Sequence, residues 1–121
     1  MEFGQDLVKG SIVPIVLALL GERPMYGYEM VKVVNARSGG RLEWKEGTLY
    51  PTLHRLESAG LLRSYWADAG GAASIGTDAA AGRPRKYYAI TGKGRAELAR
   101  RADEWREFST AVNAIVLGGR P

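Results

Sequence analysis

The chain holds no cysteine and a single histidine, His54, in 121 residues. The first absence excludes disulfides, thiolate nucleophiles and cysteine-ligated zinc. The second leaves too few ligands for a histidine metal site and no material for a His-based triad. Clustered carboxylates beside a Lys or Ser in a motif are missing too, which disfavours an enzyme. Long apolar runs are scarce. Ile12 to Leu20 is apolar but far too short to span a bilayer. Met1 to Lys9 contains two acids and no apolar run, so it does not read as a signal peptide. These absences predict a cytoplasmic bacterial protein with no metal, no cofactor and no membrane association.

What is present is ordinary in bulk and uneven in detail. Hydrophobic content of 45% and charged content of 25% match a soluble globule. The length predicts one domain able to bury a core without staples. Net charge is +4, yet Arg83 to Arg101 holds seven bases and one acid, so the rest of the chain is net negative. A local excess of this kind suits a polyanion such as nucleic acid. Arg95, Arg100 and Arg101 read as a solvated helix face. Arg83, Arg85 and Lys86, beside glycines and a proline, read as phosphate contacts.

The apolar spacing sets out the elements. "SIVPIVLALLGE" predicts a first helix, capped by Ser11 with Pro14 in its first turn, or else starting near Gln5 with Pro14 inside it. "MYGYEMVKVVNARSGG" predicts a second, ended by Gly39-Gly40. In "LEWKEGTLYPTLHRLESAGLL", Leu49, Leu53 and Leu56 recur at i, i+4 and i+7 and form one apolar stripe. Thr48 is a possible cap and Gly60 the stop. The polar face of this third helix offers Thr48, Thr52, His54 and Arg55, with Tyr50 and Pro51 near its tip. "LLRSYWA" and "RKYYAIT" read as strands, the second alternating Tyr87 and Ala89 with Tyr88 and Ile90. Trp44 and Trp66 read as core or hairpin packing, and Tyr26 and Tyr28 as packing between helices.

Between the strands lies a Gly/Ala-rich stretch, residues 68–82. Gly71 and Gly76 have the spacing of a phosphate loop, but the Lys that should follow is missing. The stretch therefore reads as an oversized hairpin tip. It has too little apolar area to offset its ordering entropy and is expected to be mobile without a partner. From Thr91, a plausible cap, a last helix runs to about Leu117. Leu98, Ala102, Trp105, Ser109, Val112 and Val116 step by 4, 3, 4, 3, 4, a heptad seam widened by Phe108 and Ile115. A small monomer cannot cover such a seam along its whole length, so a homodimer is expected. The same helix could also pack on its own first helix.

Three helices, a two-stranded wing and a long C-terminal helix describe an α+β, mostly α, winged helix-turn-helix. The expected division is a DNA-binding domain over 1–90, with its wing at about 62–90, and a dimerisation helix over 91–118. Leu98, Ala102, Trp105, Phe108, Val112, Ile115 and Val116 are the expected dimer interface.

Several collinear motifs resemble the PadR family of transcriptional regulators. "MYGYEM" is similar to that family's start of the second helix. "EGTLYPTLHRLESAGLL" resembles its recognition helix, and "GRPRKYYAITGKG" the end of its wing and start of its last helix. "SYW" and the single C-terminal helix resemble the small members that include multidrug-sensing repressors. The resemblance implies a dimeric repressor on double-stranded DNA with a pseudo-palindromic operator. It implies that Lys45, Thr48, Tyr50, Pro51, His54 and Arg55 face DNA, and that Arg83, Arg85 and Lys86 form the phosphate-contacting end of the wing. It also implies that Trp105 lines a cavity at the dimer interface suited to a planar aromatic small molecule, with Ser109, Leu7, Ser11 and Val13 as neighbours. The drug sensors carry an acid one turn past that Trp. Ser109 stands there instead, so a preference for cations is not implied. The rival reading is a winged-helix protein-interaction module that does not bind DNA.

Overall fold

A computed structural model describes residues 3–68 and 84–118. Arg83 and the expected mobility of the Gly/Ala-rich stretch fall on residues 69–83 and lie outside the described residues, apart from Asp68 at its edge.

Helix α1 spans Gln5–Glu22 and therefore starts upstream of Ser11. Ser11 is not its cap; its Oγ donates to the Val8 carbonyl at 2.8 Å. Pro14 lies inside the helix, where the missing N–H and the ring cost about 3 kcal/mol. Burial of Ile12, Val16, Leu17, Leu19 and Leu20 on one side offsets that cost. After Pro24 comes a strand that the sequence pattern did not reveal, β1 (Met25–Tyr26). It runs directly into α2 (Gly27–Arg37), whose N3 residue Glu29 accepts from the Tyr26 N–H at 3.4 Å.

Helix α3 spans Glu46–Ser58 with Lys45, not Thr48, at the cap position. Its stop is the expected one. Gly60 has φ +80°, the Gly60 N–H reaches the Glu57 carbonyl and the Leu61 N–H the Leu56 carbonyl, both at 2.9 Å. Those two bonds make a Schellman motif, and the left-handed φ explains the glycine. The turn delivers the chain into β2 (Leu62–Ala67). Strand β3 (Arg85–Ile90) pairs with it antiparallel, from Leu62 opposite Ile90 to Ala67 opposite Arg85.

The wing is thus not two-stranded alone. Met25 pairs with Tyr88 and Tyr26 with Tyr87, giving a three-stranded sheet in the order β1-β3-β2. Central position buries Tyr87, Tyr88, Ala89 and Ile90 together, so both faces of β3 are covered. Thr91 caps α4 (Gly92–Val116) by accepting from the Gly94 N–H at 3.0 Å. Lys93 Nζ donates to the Ala59 carbonyl at 2.9 Å, which ties the start of α4 to the exposed carbonyl end of α3.

The core gathers α1, α2, α3 and the sheet around Leu17, Leu20, Met25, Met30, Leu49, Leu53 and Tyr88. Trp44 joins it as expected. Only Gly94 of α4 is buried. No helix among the described residues is long and apolar enough to cross a membrane.

Candidate nucleic-acid interface

The leucine stripe turns one side of α3 inward and leaves the other to solvent. Lys45, Thr48, Pro51, His54 and Arg55 are exposed. Thr52, which the sequence placed on the polar face, is 5% exposed. It stands three residues after Leu49 and four before Leu56, within the apolar stripe. Its Oγ1 instead accepts from Arg55 Nη2 at 3.5 Å.

Tyr50 is half-buried, and its ring lies against Gly27 at the start of α2. A Cβ on Gly27 would fall 2.5 Å from the Tyr50 hydroxyl. The close approach favours glycine there, since any Cβ would have to displace the Tyr50 ring. Burial, then the carboxylate of Glu46, pushes the Tyr50 phenol pKa up. The far end of α3 is tied to the wing, because Ser64 Oγ donates to Glu57 at 2.5 Å.

Beside α3 the wing completes a concave surface of about 440 Å³. Tyr50 and His54 of α3, Arg85 and Lys86 of β3, and Tyr28 and Trp66 line it. Arg85 is held in place, its Nη1 donating to the Tyr26 hydroxyl at 2.7 Å with the guanidinium 4.5 Å from the Tyr26 ring centroid. Tyr26 in turn meets Tyr87 edge-on at 5.4 Å, and Tyr87 stacks on Tyr65 at 5.9 Å. Lys86 Nζ sits 5.7 Å from the Tyr88 ring centroid. Two cations and several aromatic faces thus share one wall with His54. Tyr28 and Trp66, at 51% and 64% exposure, belong to this surface rather than to the packing the sequence suggested.

The other bases of the stretch are structural. Arg95 Nη1 donates to the Gly21 carbonyl at 3.4 Å. Arg100 and Arg101 both bond Glu97, each with a contact of 2.7 Å, and Arg100 first and Arg101 next hold that carboxyl at about 2.

A second concavity, an open groove of about 540 Å³, runs between α1 and α4. Ser11, Pro14, Ile15 and Ala18 face Ala102, Trp105 and Ser109 across it. Ser11, Trp105 and Ser109 therefore lie along one groove. Val13 packs toward the core and is not among its walls, because two helical steps turn it about 200° from Ser11. Leu7, one turn before Ser11, is exposed beyond the groove's lining. Leu98 is engaged within the chain, lying 3.1 Å from where a Cβ of Gly21 would sit. Further along α4, Phe108, Val112, Ile115 and Val116 are left exposed. Among the described residues, no group of His, Asp and Glu is arranged to hold a metal ion.

Comparison with known proteins decides the family. The model described as "Transcriptional regulator PadR-like family" matches residues 16–100, from mid-α1 through the first turns of α4. The chain belongs to the PadR-like family. An uncharacterized protein of Lysinibacillus sphaericus is 31% identical over 113 residues, covering 93% of this chain and 94% of the relative. A transcriptional regulator from Clostridium thermocellum superposes with a TM-score of 0.77 at 30% identity, over 94% of this chain and 98% of that one. A PadR family transcriptional regulator from Eggerthella lenta gives 0.70 at 34% identity, over 92% and 86%. PadR-like proteins are transcriptional regulators, not enzymes, and this chain has their winged-helix fold.

Within this PadR-like frame, the sequence reading missed β1 and the roles of Tyr26, Tyr28 and Trp66. The one available signal was the density of aromatics flanking Gly27 and the basic run. Nothing local said that they would converge.

Proposed function

We propose that the protein is a homodimeric PadR-type repressor that binds a pseudo-palindromic operator. The observation that carries this reading is the shared wall. His54, on the exposed face of α3, and the two cations of the wing border one concave surface, so one DNA segment can meet both. An α-helix with its side chains is about 10–12 Å wide and fits the major groove of about 12 Å. Thr48, Pro51, His54 and Arg55 would then approach base edges, with Lys45 facing DNA from the cap of the helix. Arg85 and Lys86, with Arg83 preceding them in sequence, would meet phosphates. Base contacts specify and phosphate contacts position. A twofold pair of such heads, joined through α4, would place α3 in two grooves about one helical turn apart.

The α1/α4 groove supports the ligand part of the reading. Its walls are mainly apolar and it presents the Trp105 ring. A second copy packed along α4 would face that ring with its own, which suits a planar aromatic molecule. Such a ligand would release DNA only to the extent that it binds one separation of the two heads better than the other. The basic wall favours DNA over a protein partner.

The test is a mobility shift on DNA upstream of the protein's own gene, at several salt concentrations. Binding that weakens steeply with salt is the expected result, because Lys and Arg contacts release counterions. A folded protein that shows no shift even at low salt would remove the DNA reading and leave the protein-interaction module.

A further inference from the structure

A helix lying in the major groove has a phosphate strand on each side of it, and the wing accounts for one side only. At about 100° per residue, Thr48 and His54 stand about 120° apart around α3. His54 borders the wing surface. Thr48 borders a different concavity, formed where the start of α1 meets the turn between α2 and α3. That hollow, about 390 Å³, collects Lys9 from α1, Arg41 from the turn and Lys45 from the cap of α3. All three bases are exposed. Among the described residues none of them is in an ion pair. Three bases of α4 differ in this respect, since Arg100, Arg101 and Arg106 each have a carboxylate within 4 Å.

The turn that carries Arg41 is firmly held. The Trp44 N–H donates to Asn35 Oδ1 at 2.9 Å and Asn35 Nδ2 donates to the Trp44 carbonyl at 3.4 Å. Ser38 Oγ accepts from the Leu42 N–H at 3.2 Å. Between them Glu43 adopts φ +49°, a left-handed conformation that a glutamate rarely takes. The Arg41 guanidinium lies 5.0 Å from the Phe3 ring centroid, which ties the start of the chain to the turn. Three bases from three elements are thus presented around one hollow with little freedom in the backbone. One carboxylate, Glu43, shares that hollow and lowers its positive charge.

We propose that Lys9, Arg41 and Lys45 form a second phosphate-contact site that grips the DNA strand on the side of α3 away from the wing. The proposal rests on α3 being the recognition helix. It adds a clamp across the groove, in which the wing holds one strand and the start of α1 with the α2–α3 turn holds the other. Glu43 weakens this second grip.

The test measures binding of a fluorescein-labelled mixed-sequence duplex at a series of KCl concentrations. Four proteins are compared with the parent: Lys9→Ala with Arg41→Ala, the charge-keeping pair Lys9→Arg with Arg41→Lys, the wing pair Arg85→Ala with Lys86→Ala, and Glu43→Asn. Loss of two phosphate contacts should flatten the slope of log K against log salt by about 1.8 per protomer. The first pair and the wing pair should each show that change, while the charge-keeping pair keeps the parent slope. Glu43→Asn, which tolerates the left-handed φ, should bind more tightly at low salt. A parent-like slope in the first pair, with the wing pair flattened, overturns the second site and leaves the recognition-helix reading intact. Flattening in the charge-keeping pair also overturns it, since the effect would then be structural. A parent protein that does not bind the duplex at all removes both readings.

Discussion

Gly94 and Gly27 are fixed by what lies opposite them rather than by their own φ. A Cβ on Gly94 would fall 2.1 Å from the Leu61 carbonyl oxygen and 2.7 Å from Ile90 Cγ1. The first of these is backbone, held by the Thr91 N–H at 3.0 Å, and it cannot give way without moving the base of the hairpin. At Gly27 the obstacle is the Tyr50 hydroxyl, the far end of a side chain that can turn. Gly94→Ala should therefore lower stability by about 3 kcal/mol, the upper end of what overpacking costs, and Gly27→Ala by about 1–2 kcal/mol. Denaturant melts of the two variants give the comparison, and equal losses would contradict it. Glu97 makes a prediction of another kind. Hydrogen bonds from Arg100 and then Arg101 hold its carboxyl at about 2 against an ordinary value of 4.5. A carboxyl with a depressed pKa stabilises the folded state at all pH values above its ordinary range. That contribution fades as pH falls from 4.5 towards about 2. The difference in Tm between the parent and Glu97→Gln should be steady near neutrality and close on acidification. A difference unchanged by acid would mean that packing, not charge, separates the two proteins.

Two elements, α1 and α4, meet at Gly21 and Leu98 and then diverge enough to leave the groove beside Trp105. If the groove takes a planar aromatic molecule, ring contact should quench Trp105 fluorescence. Trp66 is also exposed, so the comparison needs Trp105→Ala, and equal quenching in both proteins would count against the site. The elements themselves differ in how legible they were. Helix α3 could be read because its leucine stripe, its stop at Gly60 and its length all agree. Helix α4 could be read from Thr91 and its heptad steps. The start of α1 was left between two positions, because a Pro at 14 argues locally for a late start. The helix takes the early one, Gln5, with Pro14 accommodated inside it. Strand β1 was invisible because two residues cannot show a period. Its pairing with β3 is what brings Tyr26 to Arg85 and covers the edge of β3 away from β2. The cation wall at the wing was legible as charge. The aromatic half of that wall depends on β1 and on the register of β2, which no spacing in the chain encodes. Thr52 shows the same limit on a small scale. It is polar by composition and buried by phase.

At the scale of the whole molecule, the 25-residue α4 is out of proportion to the body that carries it. Trp105, Phe108, Ile115 and Val116 are each at least half exposed, and they lie along the half of the helix furthest from the core. Most helical stability in a protein comes from packing an apolar face, whatever the length of the helix. An uncovered stripe of this size marks an interaction surface. A second copy is the partner that also serves the DNA reading, since a twofold axis through α4 would repeat α3 at half-site spacing. The expected result is a dimer by sedimentation, with a Tm that rises with protein concentration because the dimer binds only folded chains. Val112→Lys with Ile115→Lys places charge in the stripe, at residues that line neither of the concave surfaces proposed to meet DNA. That variant should sediment as a monomer and lose the concentration dependence of Tm. Its affinity for a two-half-site duplex should fall far more than its affinity for a single half-site, because only linked heads share the benefit of the first contact. A parent that is monomeric at micromolar concentration, or a doubly substituted chain that still dimerises, would place the seam of α4 outside the interface.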